Sequence, residues 1–170
     1  MKYMINQSLF SFRDSFSIKD EKDQTVYSCK AKPFTIGKVL DFYDSTGNAL
    51  FRLKKKIFSF APTFRIFKND EVIATVKRDF FTFLKPKYRI SMANGDNMEI
   101  HGDMFSYEYQ ILKNEDEVAQ ISKKFFSFTD TYGVNIKEGN EDSFILALAV
   151  VVDLVCHSKK KSKGGFSKRR

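Results

Sequence analysis

The sequence predicts a mainly β protein, a closed antiparallel barrel of about twelve strands around a central hydrophobic helix. Three observations predict it: a repeat, an alternation of apolar and polar residues within each repeat, and one continuous apolar run. A phenylalanine followed by Ser or Thr recurs six times, at Phe10, Phe34, Phe58, Phe81, Phe105 and Phe126. Successive pairs are 24, 24, 23, 24 and 21 residues apart, and a nearly fixed period of this size is typical of a repeated supersecondary unit.

Each of the first five units has the pattern of a β-hairpin. A Phe-rich segment alternates apolar and polar residues, a polar turn follows, and a short β-branched segment closes the unit. Such alternation predicts strands with one buried and one exposed face, as in antiparallel sheets. Asn94-Gly95 is the strongest turn signal, because both residues tolerate a positive φ. Five hairpins, the first half of the sixth unit and a strand within residues 2–7 bring the expected count to twelve.

The sixth unit ends in an apolar run, from Phe144 to Val152, instead of a second strand. Asp142 or Ser143 can cap a helix here, and acidic residues suit its positive N-terminal end. A helix over about residues 142–157 would be roughly 24 Å long and apolar nearly all round, so it must be enclosed. A bilayer needs about 20 apolar residues, more than this run offers, so no transmembrane segment is predicted. A barrel of about twelve strands leaves room for such a helix.

Several stretches of the chain carry a family resemblance: LFSFRDSFSIKD, KPFTIGKVLDFYDSTGNAL, GDMFSYEYQI and ISKKFFSFTDTYGVNI, followed by the helix ending VVDLVCH. Over about residues 3–157 the chain resembles the LURP-one-related family, and within it the bacterial YxjI-like proteins. The resemblance implies a tubby C-terminal-like fold, to which phospholipid scramblases are similar as distant relatives. It brings no catalytic residues and no cofactor, so we expect a protein that is not an enzyme.

Tubby-like domains are associated with phosphoinositide head groups, bound through basic residues on the barrel wall. Lys54, Lys55 and Lys56 at a predicted strand end, and Lys85 with Lys87, are basic positions in suggestive places. The family pattern does not match them residue by residue, so they are candidates for binding anionic lipid by charge alone.

The net charge of +8 belongs to one terminal segment. Residues 159–170 contain no acid and seven basic residues, namely Lys159, Lys160, Lys161, Lys163, Lys168, Arg169 and Arg170. Subtracting these seven from the 29 Lys and Arg leaves 22 basic against 21 acidic residues, so the rest of the chain is near neutral. We expect a single domain over residues 1–158 and a disordered basic tail over residues 159–170. The tail would act as a solubilising end or hold an anionic membrane, and a nucleic-acid partner is not expected.

The N-terminus lacks the apolar stretch of a signal peptide, and the two cysteines, Cys29 and Cys156, suggest no disulfide framework. We therefore expect a cytoplasmic monomer with reduced thiols, at most peripheral at a membrane.

Few residues point to chemistry. Glu99, His101 and Asp103 alternate along one predicted strand and so share a face, where a metal could bind, although a solvated face is the favoured interpretation. Cys156 and His157 are neighbours on the helix and point apart, which disfavours a nucleophile–base pair. No metal or cofactor is predicted.

Asp153 interrupts the apolar helix, and a buried carboxylate must be hydrogen-bonded or neutral. We predict that Asp153 accepts hydrogen bonds from strand or loop backbone near the barrel mouth and so fixes the register of the helix.

Paired phenylalanines recur at one place in the units, as Phe58 with Phe60, Phe81 with Phe83, and Phe126 with Phe128. Such pairs resemble base-stacking platforms, but their recurrence favours packing inside the barrel.

Three functions remain open. The first is a non-enzymatic binding module that presents its loops, a basic strand end and the tail to anionic phospholipid, phosphoinositide head groups or a protein partner. The second is a small-molecule carrier or enzyme with a cavity beside the helix, lined by Asp153 and His157. The third is a stress or defence regulator acting through protein contacts, which the plant members of the family suggest by analogy.

Overall fold

Twelve antiparallel strands close into a barrel around one helix in the computed structural model, which describes residues 1–6, 16–80, 84–103, 106–122 and 131–157. Each strand pairs with the next along the chain, and β1 also pairs with β12, which closes the barrel. The predicted fold class is confirmed. The elements are β1 Lys2–Asn6, β2 Phe16–Lys19, β3 Thr25–Ala31, β4 Val39–Asp44, β5 Ala49–Lys55, β6 Thr63–Lys68, β7 Glu71–Arg78, β8 Lys87–Met92, β9 Asn97–Asp103, β10 Glu108–Lys113, β11 Asp116–Ser122, β12 Thr131–Ile136 and α1 Asp142–His157.

The two ends of the barrel differ in how they connect strands. One end, the hairpin end, holds the short turns that close the five hairpins. The opposite end, the loop rim, holds the segments that connect one hairpin to the next, of which residues 32–38 and 56–62 are described in full and residues 79–86 and 104–107 in part. The two Phe-Ser or Phe-Thr pairs that the structure describes in full, Phe34-Thr35 and Phe58-Ser59, lie in these segments. These two pairs therefore belong to connections between hairpins, and not to the first strand of each hairpin as the sequence predicted. Each of the other four pairs includes a residue outside the described part of the chain.

The turns at the hairpin end depend on carboxylates that accept backbone N–H groups. Oδ1 of Asp44 accepts from the backbone N–H groups of Thr46 and Asn48, both at 2.9 Å, and from the Thr46 hydroxyl at 2.7 Å. Oδ1 of Asp20, one repeat earlier, accepts from the N–H groups of Lys22 and Gln24 in the same way. These bonds satisfy the donors of a tight turn, which is why Asp favours such positions.

The turn at Asn94-Gly95 has a different geometry from the one predicted. Only Gly95 has a positive φ there, at 91°. The turn with two successive positive φ values lies instead at Asn69-Asp70 and at Asn114-Glu115. Two successive positive φ values are typical of a two-residue type I′ hairpin, whereas the turn between Met92 and Asp96 is longer and needs a positive φ only at Gly95.

The helix α1 has the predicted bounds and fills the barrel from the hairpin end to the loop rim. Its side chains from Phe144 to Val155 are buried on every face, and Phe51 meets Phe144 with ring centroids 6.1 Å apart. The side chains of the two predicted capping residues, Asp142 and Ser143, do not cap the N–H groups of the helix. Asp142 accepts a hydrogen bond from the Tyr3 hydroxyl, and the first helical N–H groups donate to the carbonyl of Glu141. No helix in the described part of the chain is long and apolar enough to cross a bilayer.

The prediction that Phe58 and Phe60 pack inside the barrel is wrong, because both side chains are exposed. The interior is filled instead by alternate residues of the strands, such as Phe42, Leu53 and Phe64, packed against α1. A phenylalanine in a connecting segment lies beyond the strand ends, where the helix offers no surface to cover it. The other two pairs, Phe81 with Phe83 and Phe126 with Phe128, lie outside the described residues.

Truncating a helix side chain should show how much stability the enclosed helix provides. Leu148 is 0% exposed, so Leu148→Ala leaves a cavity and should lower the free energy of unfolding by about 2–5 kcal/mol. The matched control is Leu84→Ala at a 61% exposed position, with an expected loss below about 0.5 kcal/mol. Urea denaturation measures both. Equal losses in the two variants would contradict an interior organised around α1.

The hydrogen bonds of the Asp44 turn predict that the stability of the protein falls at low pH. Hydrogen bonds from Thr46 and then Asn48 lower the pKa of the Asp44 carboxyl to about 2. Because the folded pKa lies below the unfolded value, the stability that this carboxylate provides is present above about pH 4 and is lost as the pH falls towards 2. NMR titration of the Asp44 carboxyl should give a midpoint near 2, and Asp44→Asn should flatten the fall of stability in that window. A midpoint near 4 would contradict the turn geometry.

Candidate functional site

Exposed hydrophobic side chains are concentrated at the loop rim. Nine large hydrophobic residues in the described part of the chain are exposed, and only Met1 and Val72 lie at the hairpin end. The other seven are Phe34, Ile36, Ile57, Phe58, Phe60, Phe80 and Leu84. Single exposed hydrophobic residues are normal on proteins, whereas a concentration at one place is typical of an interaction site. Core packing does not explain the exposed hydrophobic side chains of the loop rim, so the loop rim is the candidate interaction site.

The Phe-Ser or Phe-Thr pairs show how two of these segments hold a ring in solvent. The Thr35 hydroxyl contacts the carbonyls of Lys32 and Gly37, at 3.2 and 3.1 Å. The Ser59 hydroxyl lies 2.9 Å from that of Thr63, which donates to a backbone carbonyl of the same segment. In both pairs the hydroxyl ties the segment to itself while the neighbouring phenylalanine is exposed. These are the two pairs for which both residues are described.

Phe34 also adopts an unfavourable backbone conformation. Its φ is 60°, in the left-handed region that costs a residue with a side chain about 1–2 kcal/mol. Glycine would avoid that cost, and Phe34 makes no core contact in return because it is fully exposed. Strain of this kind is concentrated at functional sites in proteins.

Basic residues lie on the outer wall next to these segments. Lys54 of β5 lies directly opposite Arg65 of β6, and Lys77 of β7 lies directly opposite Arg89 of β8. Like charges in directly opposite positions destabilise a sheet. Arg89 donates to Asp79 at 2.8 and 2.6 Å, whereas Lys54, Arg65 and Lys77 make no ion pair within the described residues.

An open groove of about 630 Å³ runs along this part of the loop rim. It brings the predicted Lys56 together with Lys77 and Arg89, and with the rings of Phe58 and Phe60. Asp79, the partner of Arg89, also lines the groove, so apolar rings share this surface with two cations that have no ion pair among the described residues, Lys56 and Lys77. We call Lys54, Lys56, Arg65, Lys77 and Arg89 the basic wall.

The three predicted lysines do not act as a unit. Lys54 and Lys56 are exposed, but Lys55 is half-buried and lies opposite the buried Phe64, on the inward side of β5. Successive strand residues point to opposite faces, so a run of three lysines cannot present three charges on one wall. Among the neighbouring candidates, Lys85 is exposed and Lys87 is bound to Glu99. The predicted tail residues, Lys159 to Arg170, lie outside the described residues.

Arg65, Lys77 and Arg89 were missed by the sequence reasoning. Each is a single basic residue in an alternating strand, which is an ordinary solvated position when read alone. Only the register of the strands brings them together with Lys54, so no local signal could have identified them.

Glu99 and His101 form an ion-pair cluster with Lys87. Oε2 of Glu99 lies 2.8 Å from both Lys87 Nζ and His101 Nε2. Lys87, and then His101, lower the pKa of the Glu99 carboxyl. Within the described residues no group of three His, Cys, Asp or Glu side chains is placed to hold a metal.

The end of α1 nearest the loop rim borders a small cavity. The Sγ atom of Cys156 lies 3.4 Å from the Tyr88 hydroxyl and 3.1 Å from the Tyr109 hydroxyl. Burial, and then Cys156 itself, raise the pKa of both hydroxyls. Next to them, Asp153 and Cys156 line a cavity of about 20 Å³ beside the helix. That volume holds about one water molecule, whereas small-molecule pockets enclose about 300–1,000 Å³.

Asp153 is buried, at 6% exposed, and lines the small cavity beside the helix. Its role in fixing the helix register stays a prediction. The side chain of His157 lies outside the described residues, and both cysteines are free thiols.

Comparison with known proteins places the chain in a family. It matches the LURP-one-related family over residues 1–153. It is 31% identical over 158 residues to the uncharacterized protein YxjI of Bacillus subtilis, a match that covers 93% of this chain and 95% of that protein. An X-ray structure of an Arabidopsis thaliana protein superposes with a TM-score of 0.63 at 14% identity, over 89% of this chain and 88% of that one, and supports the fold. The family match and the Bacillus relative together show that this chain belongs to the LURP-one-related family.

Proposed function

We propose that this protein is a non-enzymatic binding module that attaches to membrane surfaces rich in anionic phospholipid through its loop rim. The observation that carries the proposal is the basic wall, where Lys54, Arg65 and Lys77 lie together with no ion pair to an acid among the described residues. A sheet that keeps like charges directly opposite each other loses stability. Binding of an external anion would compensate these positive charges and relieve the repulsion between them.

The surface fits a membrane better than a nucleic acid. Bases stack on aromatic rings, and the rings of Phe58 and Phe60 could serve that purpose. However, the exposed set also includes Ile36, Ile57 and Leu84, which are aliphatic and offer no stacking face. Aliphatic and aromatic side chains together partition into the interface of a bilayer.

The number of basic residues near the membrane surface determines the expected free energy of binding. Each Lys or Arg near an anionic surface contributes about 1 kcal/mol. Lys54, Lys56, Arg65 and Lys77 together would contribute about 4 kcal/mol, which corresponds to weak, millimolar binding. The sequence continues beyond α1 with seven basic residues from Lys159, whose charge would add to the attraction.

Neutralising the basic wall should weaken membrane binding without unfolding the protein. The triple change Lys54→Gln, Arg65→Gln and Lys77→Gln should reduce co-sedimentation with phosphatidylglycerol-containing vesicles by about tenfold or more at low salt. Its thermal midpoint should stay the same or rise, because opposed like charges are removed. The effect should shrink at physiological salt, where screening shortens the range of the attraction.

The matched control changes three lysines at the hairpin end, Lys2, Lys22 and Lys68, to Gln. It removes the same net charge from the opposite end of the barrel and should keep most of the binding. A chain ending at Ser158 measures the share of the tail. Equal binding to neutral and anionic vesicles, or equal losses in the two triple variants, would contradict the proposal. If RNA bound to this surface in place of the vesicles, the surface would be assigned to nucleic acid.

A further inference from the structure

The exposed rings of the loop rim form a second feature that charge alone does not explain. Phe58 is 91% exposed, and Phe34 and Phe60 are fully exposed, although the barrel interior has no shortage of large apolar side chains. A surface that only attracts anionic head groups needs cations and no rings. The rings therefore indicate a contact with something apolar.

The segments that carry these rings are built to hold them outwards. Hydroxyl groups of Thr35 and Ser59 tie each segment together, as described above. Phe34 stays in solvent despite its left-handed backbone. These contacts constrain the backbone beside Phe34 and Phe58, and both rings are exposed in the resulting conformation.

Cations flank the apolar tips in the same segments. Lys54 and Lys56 adjoin Ile57 and Phe58, and Lys85 follows Leu84. Apolar tips with basic residues behind them are typical of proteins that lie at the boundary between head groups and acyl chains. The long lysine side chains can reach the phosphates while the rings go deeper.

We propose that Phe34, Phe58 and Phe60 penetrate the acyl-chain region of the bilayer and act as shallow anchors. The barrel then stands with its loop rim on the membrane and its hairpin end in solution. This inference rests on the proposed function and specifies how the rim engages the lipid. Two anchoring contributions, charge and apolar insertion, together give stable attachment where either alone is weak.

A second copy of the chain is a poorer occupant of this surface. Contact between two rims would bring Lys56 and Lys77 of one copy against the basic walls of the other, and like charges oppose such an approach. An anionic bilayer offers an apolar interior under a negative surface, and so it complements both parts of the rim.

The absence of tryptophan from the chain makes the test direct, because an introduced tryptophan is the only one. Phe58→Trp should shift its emission to the blue on phosphatidylglycerol-containing vesicles, and lipids brominated in the acyl chain should quench it. The matched control is Val72→Trp, at an exposed position of the hairpin end, which should show neither change. Co-sedimentation of the same samples reports binding separately.

The outcomes separate the two proposals. Binding of both variants with quenching in Phe58→Trp alone supports insertion through the rim. Binding without quenching overturns insertion and leaves electrostatic attachment standing. No binding of any variant overturns both proposals. Equal quenching in the two variants would overturn the proposed orientation.

Removal of the rings gives a second test that does not depend on fluorescence. The double change Phe58→Ser and Phe60→Ser should lower vesicle affinity by about tenfold or more, and the loss should persist at high salt because it is apolar. Phe34→Gly should weaken binding several-fold while the thermal midpoint stays the same or rises, because glycine adopts the left-handed φ freely. Unchanged affinity in both variants would overturn the proposal. A dimer that forms without lipid and dissociates only when the rings are removed would also overturn it.

Discussion

A helix that is apolar on every side cannot face water, and the need to enclose α1 determines the rest of this structure. Two stacked sheets would cover two of its faces, whereas a closed barrel covers all of them. The strands supply that cover with their inward residues, and each strand pairs on both sides, so no strand edge is left open among the described residues. Leu146, Leu148 and Val150 in the middle of the helix are fully buried as a result.

Because the strands and the helix fill the interior, the two ends of the barrel are not needed for the core and differ in composition. The hairpin end consists of tight turns, held by carboxylates such as Asp20 and Asp44, and offers few apolar groups. The described connections at the other end leave large side chains such as Phe34, Phe58 and Phe60 outside the core. Phe34 and Phe58 are members of the repeat, so packing inside the barrel does not account for these two phenylalanines.

Local patterns were enough to predict the number and antiparallel arrangement of the strands, the closure of the barrel and the bounds of α1, because alternation and continuous hydrophobicity report burial directly. They failed at Phe58 and Phe60, since hydrophobicity alone does not tell whether a residue lies before or after the end of a strand. Local patterns also missed the basic wall. Arg65 and Lys77 become neighbours of Lys54 and Arg89 only through strand register, which depends on pairing between residues distant in the chain.

The order of the elements along the chain has a consequence for biosynthesis. All twelve strands precede α1, so they leave the ribosome before the segment that fills them. Until then the inward faces of strands such as β4 and β5 have no helix to contact, and β1 has not yet met β12. Nascent chains with unfilled apolar faces and unpaired edges aggregate readily. The pairing of β1 with β12 that closes the barrel can therefore form only after nearly all of the barrel sequence has been synthesised.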